Sequence, residues 1–269
     1  VLSLSSGIMY HRLVDRITAL NDVPREPLVP RRLGKNMCVP FGKILRGKVV
    51  PNTVTKTLHT DKVYEPDLNS FTIEPFPYYS PLKSQIETIK SFDRPVILVD
   101  DLVHTANRLQ VLVPQLRENG IPIRKVVVGV LSGYGRDLMQ CLKVPVESIY
   151  SMPNLRQWFV ESTLYPFIGG DTVRREEMKV AGLQPSINMI LPSATPRLSG
   201  CSREALVEFS ACCIENSRDL FQVLEAEYRK MYAKNLTLSR LSEAVILPLC
   251  PDKGSCMEYD ENLAASVYL

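Results

Sequence analysis

The chain has 269 residues, 45% of them hydrophobic, and its 32 basic and 29 acidic side chains leave a formal net charge of +3. This length and apolar content argue against fibrous and disordered proteins. So small a charge, dispersed along the chain, argues against nucleic acid or a membrane surface as the partner. We therefore expect a small or acidic ligand.

The cysteines and the N-terminal residues indicate in which cellular compartment the protein is expected. The seven cysteines, an odd number, form no CxxC pair and have no neighbouring histidine ladder. This pattern favours buried, reduced thiols in a cytoplasmic protein over structural zinc or a disulfide framework. No apolar run approaches the ~18 residues of a membrane span, and VLSLSSGIMYHRLVD lacks the features of a signal peptide. Because the chain begins without methionine, we expect a processed protein or a segment of a longer one that is fused to another domain.

Helical spacing of apolar residues predicts the first element. Over residues 8–20, one side of this helix carries Ile8, Leu13, Ile17 and Leu20. The proline-rich link NDVPREPLVPRR follows it. From residue 36 to residue 76, the abundance of Val, Thr, Pro and turn residues predicts short strands and loops.

Residues 96–131 contain the clearest structural unit. The apolar run Val96–Val99 has the pattern of a strand that is buried on both faces. Apolar residues at helical spacing and the stop signal Gly120 predict a helix over residues 106–119. The run KVVVGVL, at residues 125–131, predicts a second buried strand. Strand, helix and strand in this order form a βαβ unit with a right-handed crossover between parallel strands.

The alternation continues beyond this unit. We expect a helix over residues 136–143 and a strand over residues 146–151. The longest helical pattern covers residues 202–234, with Ser202 as its cap. Its predicted apolar face comprises Leu206, Phe209, Cys213, Leu220, Val223 and Leu224. This order of elements predicts an α/β fold with a parallel sheet and helices on both faces.

Two adjacent aspartates, Asp100 and Asp101, follow the first buried strand. In an open parallel sheet, ligands bind at the carboxyl ends of the strands, where loops and helix N-termini converge. Residues 102–107 lead into a helix N-terminus, whose free N–H groups and positive dipole end suit a phosphate. Since carboxylates accept hydrogen bonds from vicinal hydroxyls, the segment predicts a site for a ribose 5-phosphate.

The segment VILVDDLVHTANR, at residues 96–108, resembles the phosphoribosyl-pyrophosphate (PRPP) signature of the type I phosphoribosyltransferases. That signature has four apolar residues, an acidic pair, two apolar residues and a phosphate loop usually rich in Thr and Gly. The resemblance implies a phosphoribosyltransferase-like α/β core at residues 35–160. An N-terminal helix and link would then occupy residues 1–34, and a hood with a C-terminal helical extension packed on the core would occupy residues 161–269.

The resemblance also assigns roles within the segment. It implies that Asp100 and Asp101 are the catalytic residues, which contact the ribose hydroxyls and stabilise positive charge on the sugar during transfer. Mg²⁺ would accompany PRPP through pyrophosphate and hydroxyl oxygens, without a dedicated metal site on the protein. The residues implied to bind the 5-phosphate are Thr105, Ala106, Asn107 and Arg108.

The basic run PNTVTKTLHTDKVYEP precedes the acidic pair. In the family, an upstream loop or backbone segment handles the pyrophosphate, and Lys56, His59 and Lys62 would stabilise the charge on this leaving group. The alternative is an exposed basic loop. The glycines and lysines of GKNMCVPFGK are a second candidate for a phosphate-facing turn.

Two segments with aromatic residues are candidates for the acceptor side of the site. Tyr134 and Arg136 follow the second strand of the βαβ unit and are expected either to bind the acceptor base or to form a simple turn. Trp158 and Phe159 either cover the pocket as a hood or, as the sequence favours, belong to the core.

The patterns of other enzyme classes are absent from the sequence. It contains no Ser-His-Asp order, HExxH, P-loop or GxGxxG pattern. With histidine only at His11, His59 and His104, a histidine-based metal site is not expected.

The leading hypothesis is transfer of a 5-phosphoribosyl group from PRPP to a nitrogenous acceptor, with pyrophosphate as the leaving group. His104 and Ala106 depart from the family pattern, since a small residue and a glycine are usual there. A catalytically silent PRPP-binding or regulatory domain therefore stays open as the alternative, as does a hydrolase whose acidic pair holds a metal. The expected partners are a small-molecule phosphoribosyl ligand and a second copy of the chain in a homodimer.

Overall fold

The computed structural model describes residues 2–29, 32–176, 180, 182–194, 200–247 and 260–269. The chain divides into two compact units. One is formed by Val1–Asp61 and Ile73–Leu155, and the other by Lys62–Thr72 and Arg156–Leu269. Across the described ranges, no helix is both long enough and apolar enough to cross a membrane.

Three strands follow the first helix, and helices and strands then alternate from residue 82 to residue 152. In chain order, the strands are β1 (Met37–Pro40), β2 (Thr60–Tyr64), β3 (Phe71–Pro75), β4 (Val96–Val103), β5 (Ile123–Ser132), β6 (Val146–Met152), β7 (Asp171–Val173) and β8 (Ser186–Ile187). The helices are α1 (Ser6–Leu20), α2 (Leu82–Lys90), α3 (Asn107–Glu118), α4 (Gly133–Cys141), α5 (Arg203–Tyr232), α6 (Leu238–Leu241) and α7 (Ala265–Tyr268), with a 3-10 turn at Glu161–Leu164.

A parallel sheet of order β1-β4-β5-β6 forms the centre of the first unit. Parallel neighbours need a crossover connection. Helix α3 supplies it between β4 and β5, and α4 supplies it between β5 and β6. The predicted βαβ unit is therefore confirmed, and the carboxyl ends of all four strands lie at the same edge of the sheet.

Strand β4 is buried on both faces because successive side chains point to opposite sides of the sheet. Val96 and Leu98 belong to an apolar cluster with residues of α2, α3 and α4, whereas Ile97 and Val99 belong to a cluster with residues of α1. Full burial of such a side chain contributes roughly 1.5–3 kcal/mol. The predicted α/β fold, with a parallel sheet and helices on both faces, is confirmed.

Helix α3 ends where Gly120 predicts. Gly120 has a φ of +72°, a left-handed conformation. Its N–H donates to the carbonyl of Arg117 at 2.9 Å, and the N–H of Ile121 donates to the carbonyl of Leu116 at 2.9 Å. This is the Schellman arrangement, in which a glycine reverses the chain after the last helical turn.

The second unit contains the longest helix, α5. The helix begins after Ser202, whose hydroxyl accepts the N–H of Ala205 at 3.2 Å, so the predicted cap is confirmed. Phe221 of α5 packs in a cluster with Phe167, Leu238 and Ala265. Elsewhere, β2 pairs in parallel with β7, and β7 pairs antiparallel with β8.

The apolar faces of α1 and α5 are narrower than predicted. Ile8 of α1 is exposed, as are Val223 and Leu224 of α5, so their assignment to buried faces is wrong. In α5 the reason is that the buried residues, which recur at spacings of three and four, form a narrow stripe that includes two serines. The stripe comprises Ser210, Cys213, Ser217 and Phe221.

Two further expectations about burial are wrong. Trp158 and Phe159 are 50% and 46% exposed, because residues 156–160 form neither helix nor strand and none of them is buried. Of the thiols, those of Cys141, Cys201 and Cys212 are exposed, whereas those of Cys38 and Cys213 are buried as expected. The expectation for Cys250 and Cys256 lies outside the described residues.

Candidate functional site

The predicted acidic pair lies inside β4, which continues beyond the apolar run to Val103. Asp100 and Asp101 are both half-buried. Because consecutive strand residues point to opposite faces, the two carboxylates have different surroundings. The pair therefore has to be described one residue at a time.

Asp101 is held by the loop that follows β1, residues 41–44, which we call the β1 loop. Its Oδ2 accepts the N–H of Lys43 at 2.6 Å, and its Oδ1 accepts the N–H of Ile44 at 3.0 Å. Gly42 makes this approach possible, since a Cβ there would lie 2.5 Å from Oδ1 of Asp101 and 2.8 Å from Oδ1 of Asp100. Asp101 thus joins two strand ends, while each of its oxygens retains a second lone pair.

Of the two carboxylates, that of Asp100 accepts fewer hydrogen bonds from the described residues. Its Oδ1 accepts the N–H of Asp101 at 2.8 Å, and no described residue donates a hydrogen bond to its Oδ2. Burial, followed by the charge of Asp101, raises the pKa of Asp100 to about 7, against the opposing charges of Arg108 and Arg46. Asp100 therefore exchanges its proton near neutral pH and has one oxygen available to a ligand.

The loop after β4 ends in a left-handed residue. Ala106 has φ 51° and ψ 21° at the N-cap of α3, and no side chain caps this helix. This left-handed conformation is one that glycine adopts readily and that other residues adopt uncommonly. Asn107 donates through Nδ2 to Oγ1 of Thr105 at 2.9 Å, which orders the approach to the helix. An uncapped helix N-terminus is a ready site for an anion.

Two arginines direct positive charge at the pair. Arg108, at the start of α3, donates through Nη1 to the carbonyl of Phe41 in the β1 loop at 3.5 Å. Arg46 follows the same loop, and its guanidinium carbon lies 5.2 Å from the centre of the Phe76 ring. Its Nε is buried and has no hydrogen-bond partner among the described residues. The sequence indicated Arg108 but gave no sign of Arg46, because the adjacency of β1 and β4 is not visible locally.

The basic run upstream of the pair contributes to this positive charge. Burial lowers the pKa of His59, and so do the charges of Arg46 and Lys56. The ring of His59 stacks on that of Tyr79, with centroids 3.7 Å apart. Lys56 is exposed. Arg46 and Lys56 are thus both close enough to His59 to act on it electrostatically.

Two other predicted residues have contacts of their own. The ammonium of Lys62 lies 4.3 Å from the ring centres of both Tyr64 and Phe71, within the second unit. Arg136 donates through Nη2 to Oγ of Ser151 at 2.7 Å, at the end of β6. Aromatic and hydroxyl partners therefore orient both cations.

His104 and Tyr134 lie together at the β5 side of the loop. Nδ1 of His104 is 2.9 Å from Oγ of Ser132, and the ring centroids of His104 and Tyr134 are 5.7 Å apart. Ser132 caps α4, since its Oγ accepts the N–H of Gly135 at 2.9 Å. The structure thus places the predicted acceptor residue Tyr134 next to the first residue after β4.

The donor set suits a cation that arrives with a ligand. In the described part of the chain, no group of three or more His, Cys, Asp or Glu side chains is arranged to hold a metal ion. Mg²⁺ is commonly held by one or two carboxylates together with substrate phosphates. The acidic pair offers carboxylate oxygens but no metal cage, so the residues present fit Mg²⁺ that a phosphorylated ligand would carry, with few direct contacts to the protein.

No protein-family model and no curated protein matches the chain. Similar solved structures include a purine phosphoribosyltransferase from Pyrococcus horikoshii, with a TM-score of 0.35 and 13% identity over 59% of this chain and 91% of that chain. A mutant hypoxanthine phosphoribosyltransferase from Trypanosoma cruzi, complexed with the product IMP, has a TM-score of 0.32 and 16% identity over 55% of this chain and 73% of that chain. The protein TT1426 from Thermus thermophilus has a TM-score of 0.32 and 14% identity over 55% and 84% of the two chains. At these values the similarity assigns neither a substrate nor a reaction.

Proposed function

We propose that this protein binds PRPP at the carboxyl ends of β1, β4 and β5 and transfers its phosphoribosyl group to a nitrogenous acceptor. One observation carries the proposal. The open carboxylate oxygen of Asp100 lies on the last part of β4, and the uncapped N-terminus of α3 follows this strand after a connection of residues 104–106. A hydroxyl acceptor and an anion site so close in the chain suit a ligand that carries hydroxyls and a phosphate together.

The last part of β4 and the start of α3 would bind different parts of the sugar phosphate. Oδ2 of Asp100 accepts a ribose hydroxyl, and Asp101, fixed by the β1 loop, supports the position of that carboxylate. The first N–H groups of α3 bind the 5-phosphate together with Thr105 and Asn107. Arg108 adds a charge-assisted contact, which is shorter and stronger than a neutral hydrogen bond.

The positive residues beyond the acidic pair would bind the pyrophosphate. Arg46 supports this role because its buried Nε lacks a described partner and its charge acts on Asp100. Lys56 adds a second, exposed charge near His59. Preorganised cations aimed at a leaving group stabilise the charge that develops as it departs.

The chemistry requires no covalent nucleophile. As the bond to pyrophosphate breaks, positive charge develops on the ribose, and ionised Asp100 stabilises that charge. Because the pKa of Asp100 is about 7, this carboxylate is mostly protonated below neutral pH and mostly ionised above it. The transfer rate is therefore expected to rise as the pH increases through about 7.

A calorimetric titration with PRPP and Mg²⁺ tests the proposal. Asp100→Asn keeps an oxygen for the N–H of Asp101 but removes the charge, and Asp137→Asn, at an exposed position on α4, is a matched control. A hydrogen bond to a charged group is worth about 1.5–3 kcal/mol, so Asp100→Asn should weaken binding by about tenfold to a hundredfold. Equal binding by the wild type and Asp100→Asn would refute the role of Asp100.

Release of pyrophosphate separates transfer from binding alone. The wild type is incubated with PRPP, Mg²⁺ and each member of a panel of purine and pyrimidine bases. Release that depends on one base supports transfer. Binding without release for any base would show a silent PRPP-binding domain and overturn the transfer half of the proposal.

A further inference from the structure

Gln85, in α2, carries a buried amide whose described hydrogen bonds all go to backbone groups. Its Oε1 accepts the N–H of His59 at 2.8 Å, and its Nε2 donates to the carbonyls of His59 at 3.2 Å and Ser80 at 2.8 Å. The residue is 7% exposed. Since a side-chain amide has two donor hydrogens, both are used, and Gln85 fastens two separate stretches of the chain to α2.

The partners of this amide determine its orientation. If the amide were turned over, its hydrogens would face the N–H of His59 and its oxygen would face two carbonyl oxygens. Buried polar groups that lose their hydrogen bonds destabilise the folded chain. The hydrogen-bond network therefore selects the orientation in which Gln85 clamps both the N–H and the carbonyl of His59.

The backbone that Gln85 clamps is the end of an extended row beside β1. Residues 54–58 run parallel to β1, on the side of that strand opposite β4. The N–H of Lys56 donates to the carbonyl of Cys38 at 3.0 Å, and the N–H of Leu58 donates to that of Pro40 at 2.9 Å. Because the row is parallel to β1, it ends at the same edge of the sheet as the carboxyl ends of the strands.

The clamp also fixes the stacked rings at the end of this row. The ring of His59 stacks on that of Tyr79, with centroids 3.7 Å apart and planes inclined by 16°. Tyr79 precedes Ser80, whose carbonyl Gln85 holds. The N–H of Phe76, in the same connection between β3 and α2, donates to the carbonyl of His59 at 3.0 Å. Gln85 thus holds the backbone at both rings of the stack.

Charge connects this row to the acidic pair. Burial raises the pKa of Asp100, and the charge of Arg46 opposes this rise. Burial, Arg46 and Lys56 together lower the pKa of His59. In PRPP the pyrophosphate is attached to C1 of the ribose and the 5-phosphate to C5, so the two groups project from opposite ends of the sugar. With the 5-phosphate at α3, between β4 and β5, the row beyond β1 suits the pyrophosphate end.

We propose that Gln85 is a positioning residue for the pyrophosphate end of the site, because it fixes the backbone that carries Lys56 and His59 near Arg46. The inference rests on the proposed function. It adds that this end of the site is already formed in the ligand-free protein, and a preorganised site loses less freedom when its ligand binds. Gln85 acts through the row and does not touch the ligand.

Proton NMR tests the clamp in the ligand-free protein. A ring proton of His59 that lies over the face of Tyr79 is shielded and shifted upfield, and His59→Gln identifies its signal. Gln85→Met keeps the length of the side chain but removes its hydrogen bonds, so the signal should move toward that of free histidine. Ser84→Glu, at an exposed position of α2, should keep the signal of the wild type. An unchanged signal in Gln85→Met would overturn the clamp.

Calorimetric titrations separate positioning from stability. Each protein is titrated with inorganic pyrophosphate and Mg²⁺ and, separately, with ribose 5-phosphate. A misplaced charged contact predicts that Gln85→Met binds pyrophosphate about tenfold to a hundredfold more weakly and ribose 5-phosphate unchanged. Gln85→Glu, whose second oxygen would face two carbonyls, should behave in the same way and replaces Gln85→Met if the apolar side chain prevents folding. Ser84→Glu adds the same charge on the exposed face and should bind both ligands as the wild type does.

The outcomes separate this inference from the proposed function. If the variants of Gln85 keep the affinity for pyrophosphate, or lose affinity for both ligands equally, the positioning role is refuted and the proposed function stands. A wild type that binds ribose 5-phosphate but not pyrophosphate also refutes the inference. If the wild type does not bind ribose 5-phosphate, the proposed function fails, and the pyrophosphate titration alone decides the role of Gln85.

Discussion

The carboxylate of Asp101 accepts the backbone N–H of Lys43 at 2.6 Å, which joins the end of β4 to the loop that follows β1. The adjacent carboxylate, Asp100, takes part in no such bond to the β1 loop. Two neighbouring residues of one type therefore have different tasks. Asp101 holds the β1 loop against β4, and Asp100 has an oxygen available to the proposed ligand.

Replacement of Asp101 by asparagine should destabilise the protein. An asparagine offers one acceptor oxygen and places N–H donors against the N–H of Lys43 or Ile44. The loss of one charged hydrogen bond and the unsatisfied donor predict a cost of about 1–3 kcal/mol in the free energy of unfolding. Urea denaturation of Asp101→Asn measures it, with Asp137→Asn as the control. An unchanged midpoint for Asp101→Asn would contradict the structural role.

Gly42→Ala tests the close approach of the β1 loop to the acidic pair. The new methyl group would lie 2.5 Å from Oδ1 of Asp101 and 2.7 Å from its backbone nitrogen. Such overpacking costs about 1–3 kcal/mol, so the melting temperature should fall. Gly7→Ala in α1 is the control, because the nearest heavy atom to its Cβ is 3.7 Å away. Equal stability of Gly42→Ala and the wild type would show that the loop lies elsewhere.

The raised pKa of Asp100 predicts how stability depends on pH. Its pKa rises from the ordinary value of 3.8 to about 7 on folding. Between these values the unfolded chain has released the proton that the folded chain retains. The free energy of unfolding therefore falls as the pH rises, by at most about 1.4 kcal/mol per pH unit, and the decline ends above pH 7.

The pH dependence is measured by urea denaturation of the wild type and Asp100→Asn at several pH values from about 4 to 8. The variant carries no titrating group at this position, so its free energy of unfolding should fall less steeply with pH than that of the wild type. Parallel curves for the two proteins would mean that Asp100 does not hold its proton in the folded state.

The thiols should divide into two classes toward iodoacetamide. Burial raises the pKa of the Cys38 thiol far above its ordinary value, and burial together with the charge of Cys212 raises the pKa of Cys213 to about 11. Since the thiolate is the reactive form, native protein should be labelled at Cys141, Cys201 and Cys212. Mass spectrometry should find label on Cys38 and Cys213 only after unfolding. Native labelling of Cys38 at the rate of Cys141 would contradict its place in β1.

The alternation of strands and helices could be predicted because each element carries its own signal. Val96–Val99 is apolar without interruption, and Gly120 marks the end of α3. The buried stripe of α5 could not be predicted in full. It includes Ser210 and Ser217, whose hydroxyls bond to the backbone at Leu191 and Pro166. A hydrophobicity pattern does not detect a serine that is buried in this way.

The candidate site was predicted only in part for a similar reason. Asp100, Asp101 and Arg108 lie in one continuous segment, so their proximity follows from the sequence. The partners of Asp101 lie 58 and 57 residues away in the chain. They come into contact only because β1 pairs with β4 in the sheet. Arg46 follows the same loop and reaches Asp100 through that pairing.

A crystal structure of the protein with PRPP and Mg²⁺ tests the central claim most directly. The account predicts the 5-phosphate at the N-terminus of α3, within hydrogen-bond reach of Arg108, and a ribose hydroxyl on Oδ2 of Asp100. A parallel experiment on Asp100→Asn, at a PRPP concentration near the Kd of the wild type, should show clearly lower ligand occupancy there, because the expected loss of affinity is about tenfold to a hundredfold. Ligand bound away from the end of β4, or bound identically in Asp100→Asn, would contradict the account.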